Sequence, residues 1–197
     1  MSDIQTKIAA GLERAFAKQG FAEPSVEDLK TAAGVSLRTL YKYAPSRQAM
    51  TLLALEHRHR RYIRFVFGDE PRPGQQTLAA TLDRIAQWMR TEASHGCLFH
   101  AAVAAAPHDA DLRALLTRHK SEVSRLVAQV TGRNAHAHDV LLVIEGLTQT
   151  WSLAPETALA SAKHIASMIE GTPSQVQYRV APPAMSHGIT TVPLRNR

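Results

Sequence analysis

Gly34 stands nine residues after Ser25 and nine before Tyr43, and that placement constrains the chain more than any other feature. The segment before it, Ser25-Val-Glu-Asp-Leu-Lys-Thr-Ala-Ala, opens with a helix N-cap and carries acids in its first turn, where the positive end of the helix dipole favours them. The segment after it opens a second helix at Ser36 and runs to Tyr43. Between the two the backbone needs a positive φ, which glycine adopts without a Cβ clash. Val26, Leu29, Val35 and Leu40 fall where a small shared core forms, and Ala32 and Ala33 are small enough for helices to approach closely. The pattern predicts a helix-turn-helix, a motif whose second helix enters the major groove of DNA.

The flanking sequence is helical in the same way. Ile4, Ile8, Leu12 and Ala15-Phe16 recur at helical spacing behind Ser2, and Gly20 ends the run with Phe21 placed to fold back on Phe16. Pro45-Ser46 opens a fourth helix that continues through Leu52, Leu55 and the basic stretch Arg58-His-Arg-Arg61 to Phe67. Residues 68–74 are a loop by composition. Further helices are expected at about 75–93, 97–106, 109–131, 137–153 and 156–170, punctuated by Pro107, Gly132 and Pro155. After Gly171 four prolines and no acid remain, so 171–197 reads as an extended or disordered tail, with Val176–Val180 a candidate short strand. The expected fold is all-α. Residues 1–67 form a three-helix DNA-binding domain with its connecting fourth helix, 68–170 a helical ligand-binding and dimerisation domain, and 171–197 the tail.

Charge follows the same division. Residues 1–67 hold 11 Lys/Arg against 6 Asp/Glu, residues 68–170 hold 9 against 11, and residues 171–197 hold 3 against none. A basic N-terminal module suits a polyanionic partner. Cys97 is the single cysteine, which excludes an intramolecular disulfide. No apolar run approaches the roughly 18–20 residues of a membrane span, and no signal peptide is recognised, so a cytoplasmic location is expected. No phosphate loop, dinucleotide fingerprint or HExxH motif is present. His95, Cys97 and His100 are close in sequence but lack a fourth metal ligand and convergent directions, so no metal and no cofactor is expected.

The exposed positions of the second motif helix are the candidates for reading DNA. Arg38 is a bidentate donor for guanine or phosphate, and Thr39 offers a hydroxyl and a methyl. Tyr41, Lys42 and Tyr43 offer donors to phosphate oxygens. Ser25 and Ser36 place hydroxyls at helix N-termini, where a phosphate docks readily. Arg47 opposes the dipole of its own helix, which suggests an external anion.

The stretch from Phe21 to Arg47 resembles the DNA-binding domain of the TetR family of transcriptional regulators. The resemblance rests on the Gly20-Phe21 pair, the Ser-capped second helix, the Ala33-Gly34-Val35 turn and Thr39-Leu40-Tyr41, and it spans about residues 4–55. Two positions depart from the family pattern: Ala44 stands where phenylalanine is common, and Arg47 where lysine is usual. The resemblance implies base contacts from residues 36–42 and phosphate contacts from Ser25, Tyr41, Tyr43 and Arg47; Leu37 holds a contact position where polar residues are frequent, so it either touches a thymine methyl or is simply tolerated there. It further implies a homodimer on a palindromic operator, released by a small-molecule effector. Gly96-Cys97-Leu98-Phe99 resembles one subgroup of that family.

Two apolar helices near the end of the chain fit such a dimer. Val140, Ile144 and Leu147 on the first, and Ala158, Ala162, Ile165 and Ile169 on the second, are the interface candidates in a four-helix bundle. The middle helices are expected to enclose a largely apolar effector, with Ile85, Trp88, Met89, Phe99, Val103, Leu116, His119, Val123 and Trp151 as lining candidates. Two competing classes make different demands: an enzyme needs a convergent titratable cluster, and a purely structural DNA-binding protein a filled core.

Overall fold

The computed structural model describes residues 2–171. Among them nine α-helices and one 3₁₀ turn carry the fold, and there is no strand. The tail beyond residue 171, with its candidate strand at Val176–Val180, lies outside the described residues. No described helix is long and apolar enough to cross a membrane.

Helix α1 (Asp3–Gln19) is capped by Ser2 and ends at Gly20, whose φ is 74°. Its Ile8, Leu12 and Phe16 are fully buried, and Phe21 stacks on Phe16 with ring centroids 4.8 Å apart. Helix α2 (Val26–Ala33) begins in a reciprocal capping box: the Asp28 amide donates to the Ser25 hydroxyl, and the Ser25 amide donates to the Asp28 carboxylate. Gly34 ends it in the left-handed conformation, φ 62° and ψ 41°. Helix α3 (Leu37–Tyr43) is capped by Ser36, and α4 (Arg47–Phe67) by Ser46.

Helices α1 and α2 approach closely at Gly11, in the middle of α1. A Cβ there would lie 2.3 Å from the Ala32 carbonyl oxygen and 2.5 Å from the Ala33 Cα. Glycine lets α1 and α2 pack backbone to backbone, and Lys7 and Arg14 of α1 reach over to donate to the Gly34 and Ala32 carbonyls. These bonds satisfy acceptors that the end of α2 would otherwise leave unpaired. Ala44 is fully buried in the same core, so the position commonly held by a large aromatic is filled here by a methyl.

The remaining helices are α5 (Leu78–Glu92), α6 (Leu98–Ala105), α7 (Ala110–Thr131), α8 (Ala137–Thr150) and α9 (Pro155–Gly171), with the 3₁₀ turn at Asn134–His136. Helix α5 starts later than its apolar pattern predicts. Gln75 and Gln76 instead donate to the Phe67 and Val66 carbonyls and close the end of α4. Helix α4 belongs to both halves of the molecule. Met50 and Ala54 complete the core of α1–α3, whereas Tyr62, Val66 and Phe67 enter a larger core with α5, α7, α8 and α9. Leu55, between them, packs with α6 and α7.

Candidate functional site

Three features of this frame bear on function: the outward surface of α3, a small cavity among α4–α8, and an apolar groove across α8 and α9.

Leu40 anchors α3 in the core, which turns its other residues outward. Arg38, Lys42, Leu37 and Tyr41 are exposed, the last two at 37% and 40%. Thr39 is half-buried, with its hydroxyl 2.8 Å from that of Ser36. Tyr43 differs from its neighbours, since its ring packs against the core with the Lys42 ammonium over it. Ser25 is exposed, but its hydroxyl donates to the Asp28 carboxylate at 2.6 Å and accepts from the Asp28 amide. Those bonds hold the Asp28 carboxyl below the usual carboxylate range, and its negative charge stands beside the phosphate contact expected at Ser25.

Arg47 requires a correction. Its guanidinium donates to the Pro24 and Phe21 carbonyls at 2.7 and 2.6 Å and lies over the Phe16 ring. The partners that offset its unfavourable place on the dipole are these internal carbonyls, which fasten the α1–α2 loop to α4.

The cavity of about 30 Å³ is lined by Arg58 and Tyr62 of α4, Trp88 and Met89 of α5, Phe99 of α6, His119, Lys120 and Val123 of α7, and Ile144, Glu145 and Thr148 of α8. Cys97 contributes from the turn before α6. Five lining candidates from the sequence meet here: Trp88, Met89, Phe99, His119 and Val123. The other four do not. Ile85 is fully buried in the larger core, Val103 and Leu116 pack around the α6–α7 cluster, and Trp151 is buried beyond α8 with Arg90 over its ring.

Behind the charged part of this wall runs a chain of buried and half-buried pairs. His119 stacks on Phe99 at 4.0 Å, and its Nδ1 is 2.9 Å from the Nδ1 of His59. His59 reaches the Glu122 carboxylate through Nε2 at 3.1 Å. Burial pulls both histidines below their ordinary pKa, His119 furthest, with the Lys120 charge adding to it and Glu122 partly opposing the shift at His59. Lys120 donates to Glu145 at 2.7 Å and lies 3.6 Å from the Cys97 sulfur. Arg58 lies over the Trp88 ring, donates to the Glu92 carbonyl at 2.8 Å and pairs with Glu13 of α1 at 3.0 Å. Glu13 also accepts from Arg61 at 2.8 Å and meets the His57 Nδ1 at 2.6 Å. Burial alone raises the Glu13 pKa, but the His57 bond and the Arg58 and Arg61 charges outweigh it and hold the carboxyl below its usual range.

Sequence reasoning missed this wall. Its signal was a carboxylate, Glu13, on the apolar face of α1, and an arginine, Arg58, on the apolar face of α4. Among the described residues no three His, Cys, Asp or Glu side chains converge as metal ligands.

The groove, about 730 Å³, runs between α8 and α9 and is lined by Leu142, Gly146, Leu153, Ala158, Ile165 and Ile169, among others. Leu142, Leu153, Ile165 and Met168 are 60%, 82%, 43% and 54% exposed, so the apolar face turns outward. The expected interface register on α8 is corrected here. Val140 and Ile144 lie in the core at 0% and 2% exposure and line no part of the groove, and Leu147, at 2%, reaches only its floor. The outward positions are Leu142 and Gly146, two residues on from Val140 and Ile144. On α9, Ala162 is buried at 4% and forms floor as well, whereas Ala158, Ile165 and Ile169 keep their place in the groove.

Residues 8–53 match the model of the bacterial regulatory proteins of the tetR family. The whole fold is similar to solved structures. A TetR-family transcriptional regulator from Streptomyces coelicolor superposes with a TM-score of 0.66 at 21% identity, covering 86% of this chain and 95% of that one. GusR of Salmonella enterica gives 0.63 at 18% identity, with coverages of 87% and 97%. A TetR-family member from Streptomyces coelicolor A3 gives 0.64 at 18%, with 83% and 98%. No curated protein matches the sequence.

Proposed function

We propose that the chain, whose residues 8–53 match the model of the tetR family, acts through DNA as a homodimeric repressor that a small-molecule effector releases from a palindromic operator. The observation that carries this reading is the shared helix α4, whose first turns complete the core beneath α3 and whose later turns form a wall of the cavity. A molecule that displaces that wall moves the base of the recognition unit. It shifts the equilibrium only by its differential affinity for the DNA-competent and incompetent states.

In this reading Arg38 reads a base edge, Leu37 and Thr39 meet the major-groove surface, and Tyr41, Lys42 and the Ser36 cap position phosphates. Tyr43 and Ser25 contribute mainly through packing and capping. The α8–α9 groove is covered by the same groove of a second copy, because its two exposed helix faces suit a four-helix, two-fold interface. Residues 1–54 serve as the DNA-reading unit and the rest up to residue 171 as the effector and dimer unit.

Site selection from random DNA tests the reading. The enriched sites should show two-fold symmetry, with half-site centres about 34–36 Å apart or a little more. Affinity for them should fall steeply with salt through counterion release. Sites without symmetry, or binding indifferent to salt, would overturn it.

A further inference from the structure

The cavity holds little more than a water molecule, since a site needs about 10–15 Å³ for one and this one offers about 30 Å³. An effector therefore enters only by displacing a wall, and the walls differ in what holds them. Trp88, Met89 and Val123 are gripped by the surrounding core. Arg58 is held by hydrogen bonds: one to the Glu92 carbonyl, and one to a carboxylate that belongs to α1.

From this geometry we infer that the effector is a small aromatic carboxylate, and that its carboxylate replaces Glu13 at the Arg58 guanidinium, loosening α1 from α4. The inference rests on the effector reading above. Charge and shape support it together. The rings of Tyr62, Trp88 and Phe99 offer faces and edges to a flat apolar body. The lining carries two cations, Arg58 and Lys120, against one carboxylate, Glu145, which Lys120 already neutralises. A planar guanidinium binds one carboxylate as readily as another.

The exchange leaves no buried charge alone. When Arg58 turns to the ligand, Glu13 keeps the Arg61 guanidinium and His57. The lost contact is the most deeply buried ion pair between α1 and α4, with both side chains at 4% exposure or less. Helix α1 is the helix that packs backbone to backbone on α2, so its release reaches the recognition unit without any contact between effector and DNA.

Benzoate and indole-3-carboxylate, with their uncharged amides and their aminomethyl counterparts, are the probes. Each is titrated into the full-length protein, with tryptophan emission and melting temperature reporting binding and operator retention reporting release. The acids should bind about tenfold or more tighter than the amides, the increment expected of a charge-assisted hydrogen bond. They should also be the probes that displace the operator. Glu13→Gln should tighten acid binding and leave amide binding unchanged, because the competing carboxylate is gone. Should that variant fail to fold, the acid-to-amide ratio in the unaltered protein decides alone. A ratio near one, or a preference for the amines, overturns the exchange at Arg58 while the effector reading stands. If no probe of any charge changes emission or melting temperature, the aromatic-carboxylate inference falls, while the function reading is still decided by the symmetry and salt dependence of the selected sites.

Discussion

The two ends of α4 lie in cores of opposite character. Beneath α3, Ile8, Leu12, Phe16, Leu29, Leu40 and Met50 are all fully buried, and the helices that carry them are capped by Ser2, Ser25, Ser36 and Ser46. Caps, glycine turns and apolar spacing there agree with the packing, and such agreement is what singles out one structure. At the other end Arg58, His59, His119, Thr81 and Thr148 are buried among the apolar groups, a cavity remains, and an apolar face turns outward. Buried polar groups are stable only while each keeps its partner. The comparison teaches that the first region is held by apolar packing and local caps, and the second by polar pairs that depend on one another, the region where the proposed effector and second copy would act.

The contrast breaks most sharply at the outward face. Ile165→Glu places a charge on the exposed side of α9, where folding tolerates it and a two-fold interface does not. Burying that charge unpaired should cost about 3–5 kcal/mol of dimerisation free energy. Light scattering should show a monomer with native circular dichroism, and a helical dimer would mean that the groove is not the interface.

Next in size is Gly11→Ala. The added methyl meets backbone at Ala32 and Ala33, not a movable side chain. The expected loss is about 3 kcal/mol, at the top of the range for overpacking. Denaturant titration and operator binding should both register it, and a neutral result would show that α1 and α2 approach less closely than described.

Arg38→Ala should cost roughly 1–3 kcal/mol at one base pair and relax preference there. Tyr41→Phe should weaken all sites alike, because a phosphate contact carries no sequence information. A sequence-resolved binding assay distinguishes the two, and the reverse pattern would exchange their roles.

Acid should act first on the second region. Burial holds His59 and His119 neutral in the folded chain, with pKa values below the ordinary one. The unfolded chain takes up protons near pH 6.5 that the folded chain refuses. Their stabilising effect is therefore complete above about pH 6.5 and declines as pH falls below it, by up to about 1.4 kcal/mol per pH unit for each group. Glu13, whose pKa is lowered, adds a loss of the same sign only in more acid solution. Thermal melts between pH 7 and 5 should show the decline, and His119→Phe should flatten it.

The smallest effect separates two glycines at mid-helix. Gly146 in α8 has open space where a Cβ would stand, unlike Gly11. Gly146→Ala should stabilise the monomer by about 0.5–1 kcal/mol through helix propensity. A loss of dimer affinity at the same time, measured by sedimentation, would place Gly146 at the contact between copies.

What the sequence made legible follows the same division. Caps and glycine turns are local signals, so Ser25, Ser36, Gly20 and Gly34 could be assigned from neighbours alone, and the Phe16–Phe21 stack with them. The register of α8 could not. Leu141, Leu142, Val143 and Ile144 are four apolar residues in a row, and periodicity does not decide which of them faces the core. The structure decides it through the packing of α8 on its chain neighbours α7 and α9, a tertiary arrangement that the spacing of α8 alone does not carry. Glu13 and Arg58 escaped for a related reason. Each sits on an apolar face, but a single such charge is usually solvated at the face's edge, and only their meeting across 45 residues makes them a buried pair.

Helix α4, about 31 Å long at 1.5 Å per residue, also determines where the protein can be recombined. A chimera that exchanges residues 1–67 for those of a relative removes Tyr62, Val66 and Phe67 from the core they share with the later helices and sets foreign side chains in their place. The natural crossover falls inside the helix, between Ala54 and Arg58, where allegiance passes from one core to the other. Even there one tie crosses the seam. Glu13 and Arg58 come from opposite parents, so the donor of the first segment must itself carry a carboxylate at position 13, or the graft inherits a buried arginine with no counter-charge.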